Sequence, residues 1–433
     1  MKPVCIINVV GLTGQLLPYA PRISQLGKHV EWTPPIPAVT CTVQATLLTG
    51  TMPDQHGIVG NGWYERHNSE IRFWQQSNRL ISGDLLYHGI ETAKMFWWFN
   101  QHSGVRYSAT PKPHYGCDGS KVFDIIDDTQ CDLVKHLGPF PFFSFWGPNA
   151  GLPASQWIAQ ATAKVMREKK PQLTLCYLPH LDYDFQRFKA PNMETVAQVD
   201  RCAGLLIDAA QDIGAVPIVV SEYGLVPVSR PIAINRILRD AGLLAVRQGP
   251  FGEMLIPGDS KAFAVADHQV AHVYINEPSV SNTVEKLLRN HPGIQSVMPP
   301  EQLRLKHPRS GDWIALAEPD SWFTYYYWND DRLAPDFART VDIHRKPGYD
   351  PCELFITSKL RAMFRVAQKK LGFRMKMDVI PLVPSLVGGS HGLVNSVDHN
   401  PIVIGPDAPE DILHFKDYVR RILQSHTNRS PRP

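Results

Sequence analysis

Several things are missing from this 433-residue chain, and each absence narrows its class. No stretch approaches the ~20 uninterrupted apolar residues of a membrane-spanning helix, so no membrane span is expected. Neither sign of charge dominates: 44 Lys and Arg against 41 Asp and Glu leave +3. That is too little to steer the whole chain to a nucleic-acid polymer or an anionic membrane. A mild basic cluster from Lys359 to Lys376 and a basic tail are the exceptions. Seven cysteines (Cys5, Cys41, Cys117, Cys131, Cys176, Cys202, Cys352) are odd in number, scattered, and contain no CxxC. They read as buried thiols of a reducing compartment, so the expected location is cytoplasmic. The apolar run at the N-terminus is broken by Asn8 and lacks a small-residue cleavage site. It reads as a first strand and not as a targeting segment. No internal repeat is evident.

With 43% hydrophobic and 20% charged residues, the composition is that of an ordinary globular protein, long enough for one large domain with insertions. Val4 to Val10, Leu173 to Leu178 and Val216 to Val220 are short apolar runs rich in β-branched residues, as buried parallel strands are. Helical patterns separate them, for example from about Glu194 to Asp208. The expected fold is therefore α/β: a doubly wound, mostly parallel sheet with helices on both faces. Residues 1–425 form that domain. Within it, residues 62–153 are aromatic-rich and broken by Pro and Gly, which suggests core elements plus an inserted cap. Residues 262–380 read as a small α+β lobe with a polar loop, and residues 426–433 as a disordered tail. Ligands of such folds gather at the carboxyl ends of the strands. Two strands there end in PHLDYD (from Pro179) and SEYG (from Ser221).

One stretch organises the rest: PAVTCTVQATLLTGTMPDQHGIVGN, Pro37 to Asn61. A helix beginning at Thr40 would aim free N–H groups and a positive dipole end at its surroundings, which suits a phosphate. The bland alternative is a buried helix start with a threonine cap. In the combination P-x-x-T, L-x-T-G and P-x-x-H-G-I-x-G-N, the segment resembles the nucleophile region of the type I phosphodiesterase/nucleotide pyrophosphatase branch of the alkaline phosphatase superfamily. The resemblance implies an alkaline phosphatase-like fold, Thr40 as a nucleophile that becomes phosphorylated, and a centre normally holding two zinc ions.

Matched in order, the family's ligand positions are half altered. The aspartate after the first strand falls on Val10. The D-x-x-x-H element falls on Asp182 and Gln186, and S-D-H-G on Ser221-Glu222-Tyr223-Gly224. G-x-H-G is intact as Gly389-Ser390-His391-Gly392. The implied metal ligands are Asp182, Gln186, Glu222 and His391. A two-zinc site is not expected. One divalent ion (zinc, magnesium or manganese) or a cationic replacement are the open alternatives. Thr40 and Glu222 are the candidate catalytic residues. Thr42, Gln44 and Asn61, with His344, Arg345 and Lys346 of the DIHRK run, are candidate substrate contacts. The expected ligand is a small phosphate-type ester. The expected function is its hydrolysis, with a non-catalytic binding protein of the same fold as the alternative. Oligomeric state is not legible.

Overall fold

The computed structural model describes residues 2–116, 121–189, 192–394 and 399–425. The expected disordered tail, 426–433, lies outside the described residues.

Eight strands form the main sheet: β1 (Val4–Val9), β2 (His29–Glu31), β3 (Thr92–Met95), β4 (Tyr107–Tyr115), β5 (Lys121–Asp127), β6 (Leu173–Leu178), β7 (Val216–Val220) and β8 (Ile402–Ile404). Their spatial order is β2-β8-β7-β1-β6-β3-β4-β5. The five central strands, β7 to β4, run parallel, and antiparallel pairings close both sides. Every residue of β1 and β6 is buried, which is why both read as uninterrupted apolar runs. Helices cover both faces, as expected. Three strands from the 62–153 region, β3 to β5, belong to this main sheet.

Four helices matter to the site: α1 (Thr40–Thr49), α2 (Leu152–Lys169), α3 (His180–Arg187) and α4 (Met193–Asp212). α1 is buried along its whole length, so its pattern has no polar face to betray it. It ends on Gly50 in the left-handed conformation, φ 68°, where glycine carries no Cβ penalty. None of these helices, nor any other described one, is long and apolar enough to cross a membrane.

A second core sits under a four-stranded antiparallel sheet (Ala262–Asp267, Val270–Ile275, Trp313–Ala317, Ile294–Met298) with the helix Ser281–Arg289. Phe323 to Trp328 reads as an aromatic strand, but only Ser321–Phe323 pairs as one. Tyr325 to Trp328 instead fold into the second core as a non-strand aromatic cluster.

Candidate functional site

Three parallel strands deliver the site. In the register of the sheet Asn8 of β1 lies beside Tyr177 of β6 and Val220 of β7, so the residues following each strand share one rim. Asp182 follows β6 on the first turn of α3, and Glu222 and Tyr223 follow β7. His391 comes from the distant G-S-H-G turn. Gly389 lies so close to α3 that a Cβ there would fall 2.2 Å from the Phe185 carbonyl oxygen. Any larger residue would push the turn, and His391, away from Asp182.

Thr40 is the first residue of α1, and its hydroxyl lies 2.9 Å from the Tyr223 hydroxyl. Glu222 Oε1 accepts from Asn8 Nδ2 (2.5 Å) and Gln44 Nε2 (2.7 Å), whereas its Oε2 is buried without a partner. Asp182 Oδ2 accepts from Gln186 Nε2 (2.8 Å). Burial pushes the Glu222 carboxyl up to about 8, against the hydrogen bonds from Gln44 and Asn8. It pushes Asp182 up to about 7, against those from Gln186 and Tyr223. Two carboxyls displaced this far at one rim mark a site where negative charge lacks a counter-ion.

Four rings run through the floor. Tyr223 lies flat on His391 (centroids 3.6 Å apart, planes at 7°), His391 contacts His268 (3.7 Å), and His268 stacks on Tyr349 (3.8 Å). His391 Nδ1 donates to the Ala38 carbonyl at 2.7 Å, which leaves Nε2 with its lone pair. Burial holds this imidazole neutral, down to about 3. Above the floor opens a cleft of about 2420 Å³ that Thr40, Asn61, Asp182, Tyr223, His268 and Tyr349 help to line. Aromatic side chains such as Phe73, Trp74, Trp98 and Trp146 form part of its walls.

The fit of metal ions follows from these donors. Among the described residues no three His, Cys, Asp or Glu side chains converge as a metal site. A two-ion centre does not fit. Val10 offers no donor, the Tyr223 ring is stacked on His391, and the Gln186 amide is spent between Asp182 and the Tyr349 hydroxyl (2.8 Å). A single ion has two well-placed donors: Asp182 Oδ1 and His391 Nε2 face each other at 3.5 Å, both buried and both without a hydrogen bond. The Nδ1–H bond to Ala38 is the outer support that a ligating histidine usually has. Glu222, tied to Asn8 and Gln44, stands apart from this pair.

Several sequence expectations are corrected by the geometry. Lys346 does not reach the cleft: it is buried between Asp350 (2.7 Å) and Glu353 (2.6 Å). Arg345 borders the cleft, but its guanidinium is exposed and paired with Asp336 at 3.1 Å. Gln44 does not face ligand; its amide bridges Glu222 and the Trp98 N–H (2.8 Å). Thr42 is buried inside α1 and does not line the cleft. Gln186 is a strut between Asp182 and Tyr349, not a free ligand. Asn61 borders the cleft while bracing two elements: Oδ1 accepts from Cys41 N (3.0 Å) and Nδ2 donates to Asp267 (3.1 Å). His344 lies on the cleft wall, with Nδ1 3.3 Å from the Phe73 carbonyl. His272, four residues after His268, is structural: it donates to Val59 O and accepts from Gly311 N.

Sequence reading missed Asn8, His268 and Tyr349 as site residues. Asn8 had a signal, since a lone polar residue inside a fully buried strand needs a partner. His268 sits in a turn at φ 60°, unusual for a residue with a Cβ. Tyr349 had none; its loop arrives from far along the chain.

Comparison with known proteins follows the same lines. The family model described as type I phosphodiesterase / nucleotide pyrophosphatase matches residues 4–350. Ectonucleotide pyrophosphatase/phosphodiesterase family member 1 of Mus musculus is 25% identical over 248 residues, 55% of this chain, and that of Rattus norvegicus matches equally. The match spans only 25% of either relative's length. Among solved structures, phosphonoacetate hydrolase from Sinorhizobium meliloti 1021 in complex with phosphonoformate superposes with a TM-score of 0.60 at 15% identity, over 98% of this chain and 96% of that one. Human ectonucleotide pyrophosphatase/phosphodiesterase 5 gives 0.59 at 15% identity, over 98% and 95%. The murine form of the latter, inactive and in complex with AMP, gives 0.57 at 15%, also over 98% and 95%. These likenesses establish the alkaline phosphatase-like fold.

Proposed function

Since the chain belongs to the type I phosphodiesterase/nucleotide pyrophosphatase family, we propose that it hydrolyses a phosphoryl-type ester of a small molecule, with Thr40 as nucleophile and a centre reduced from two metal ions to one. The observation that carries this reading is the pair of orphaned, buried atoms, Asp182 Oδ1 and His391 Nε2, 3.5 Å apart beside Thr40's rim. Asp182 and His391 would hold the ion, which would supply positive charge to the phosphoryl oxygens.

The chain's own groups do the rest. Thr40 Oγ forms the bond to phosphorus as the bond from phosphorus to the ester's alkoxide breaks; the Thr40 proton passes to the Glu222 carboxylate, and the departing alkoxide takes a proton from solvent. A base displaced to about 8 is well matched to that task near neutral pH. Tyr223 holds the Thr40 hydroxyl in place, and Asn8 with Gln44 fixes Glu222. Water then attacks phosphorus and releases a proton to solvent as the bond from phosphorus to Thr40 Oγ breaks, and Glu222 returns its proton to Thr40 Oγ. The aromatic walls favour an ester with a flat or apolar substituent. A cytoplasmic location belongs to the same proposal: the six described cysteines are buried free thiols, which suits a reducing compartment.

A second reading, a non-catalytic binding protein, is favoured by one contact. Tyr223 occupies the Thr40 hydroxyl and stacks on His391, so the nucleophile is engaged from within the protein. Hydrolysis of a nitrophenyl phosphodiester, assayed with magnesium, manganese and zinc in turn, separates the two. Turnover with one of these ions is the expected result, and none with any of them leaves only the binding protein.

A further inference from the structure

Beyond the family match at residue 350 lies a helix that the site does not need, Lys359–Lys370, and it buries none of its residues. Its amphipathicity is inverted. The arginines turn inward: Arg365 Nε lies 2.7 Å from Asp378 Oδ1, and Arg361 Nε donates to the Asp378 carbonyl at 3.0 Å. The large apolar residues turn outward. Leu360 is 78% exposed, Met363 68% and Phe364 60%, and just past the helix Leu371 is 75% and Phe373 63%. Leu360, Met363, Phe364 and Leu371 recur at helical spacing and form one stripe. An ordinary surface helix packs such a stripe on the core, so leaving it in water implies a covering surface.

The charge around the stripe identifies that surface. Lys359 to Lys376 hold seven Lys and Arg and no Asp or Glu, a concentration invisible in the net +3 of the chain. Asp378 takes up Arg361 and Arg365, and Asp336 takes up Lys376. Lys359, Lys369 and Lys370 have no ion-pair partner among the described residues. A second copy of the chain would set like charges against like. A polyanion without apolar surface would leave the leucines and phenylalanines uncovered. An apolar stripe flanked by unpaired lysines matches the boundary between anionic headgroups and acyl chains. With 12 residues the helix is far too short to span. Ala362, Val366 and Lys369 also border the cleft, so a surface under the helix would lie against its mouth.

We propose that Lys359–Phe373 is an interfacial anchor that docks the protein, cleft mouth first, on an anionic lipid bilayer. The inference is independent of the chemistry at Thr40. Full-length protein is sedimented with vesicles of phosphatidylcholine alone or mixed with phosphatidylserine. Binding to the mixed vesicles, weakened by salt and about a hundredfold stronger than to phosphatidylcholine alone, is expected. Leu360→Asp with Phe364→Asp should abolish it, and so should Lys359→Glu, Lys369→Glu and Lys370→Glu together. Both sets lie on exposed positions, so unchanged thermal melting confirms that the variants fold. No binding to mixed vesicles overturns the proposal, as does binding that survives either set. Self-association that disappears in the Leu360→Asp, Phe364→Asp protein, with no vesicle binding, would assign the stripe to a second copy instead.

Discussion

Replacing Thr40 with alanine is expected to lower turnover of a nitrophenyl phosphodiester by about 10⁴-fold while the protein still folds. The size follows from the role: a nucleophile that forms a covalent intermediate has no substitute within the cleft floor. Its hydroxyl neighbours are Tyr223, whose acidity burial suppresses, and Thr42, enclosed in α1. The structural cost is small, because the side chain makes one hydrogen bond, to Tyr223, worth about 1 kcal/mol. Thr40→Ser keeps the hydroxyl and should stay within about tenfold of the parent. Measuring kcat and KM separately matters: loss in kcat marks a missing nucleophile, whereas a rise in KM alone marks a lost binding contact. An alanine variant that turns over normally would remove Thr40 from the chemistry.

The second large effect concerns stability. Lys346→Met is expected to cost about 3–5 kcal/mol, read as a shift of the urea midpoint. Burial would drive the Lys346 ammonium down, but Asp350 and Glu353 outweigh it and hold it up at about 12. Burial in turn raises Glu353, with Lys346 opposing. Removing the cation leaves two carboxylates buried side by side, and the cost is their desolvation more than the lost attraction. Glu353 also accepts from the Asp342 N–H (2.8 Å), and Tyr349 on the same loop accepts no slack because its hydroxyl holds Gln186. The variant should therefore loosen the Tyr349 side of the cleft as well. Since the folded value of Lys346 lies above the ordinary 10.5, its contribution is complete below 10.5 and lost as pH rises towards about 12. Combining Lys346→Met with Asp350→Asn and Glu353→Gln should recover much of the loss. A Lys346→Met protein with unchanged stability but weakened ligand binding would restore this lysine to the role of phosphate clamp.

That correction shows what a sequence can and cannot carry. Burial leaves a local trace, so β1, β6 and β7 were legible as apolar runs, and the strand ends where Asp182 and Glu222 follow were legible with them. The Thr40 segment was legible because the turn glycines and helix start fall within 25 residues. Pairing leaves no such trace. Nothing near Lys346 in the sequence says that Glu353 folds back on it, so two adjacent cations read as an open phosphate site. Gln44 looked like a ligand contact because helical position alone cannot tell an inward amide from a cleft-facing one; the partner, Trp98 N–H, is 54 residues away. The four-ring run is built from Tyr223, His268, Tyr349 and His391, one from each of four loops, and no spacing rule links them. The exposed helix Lys359–Lys370 shows the reverse case. Its cations were visible as a mild cluster, but only the fold reveals that Leu360, Met363 and Phe364 are its outward face.

Calorimetric titration of divalent ions into metal-stripped protein tests the reduced centre most directly. One magnesium, manganese or zinc ion per chain is expected, bound through the Asp182–His391 pair and lost in His391→Ala with the fold intact. Two ions per chain, or one ion whose binding survives His391→Ala, would contradict the account.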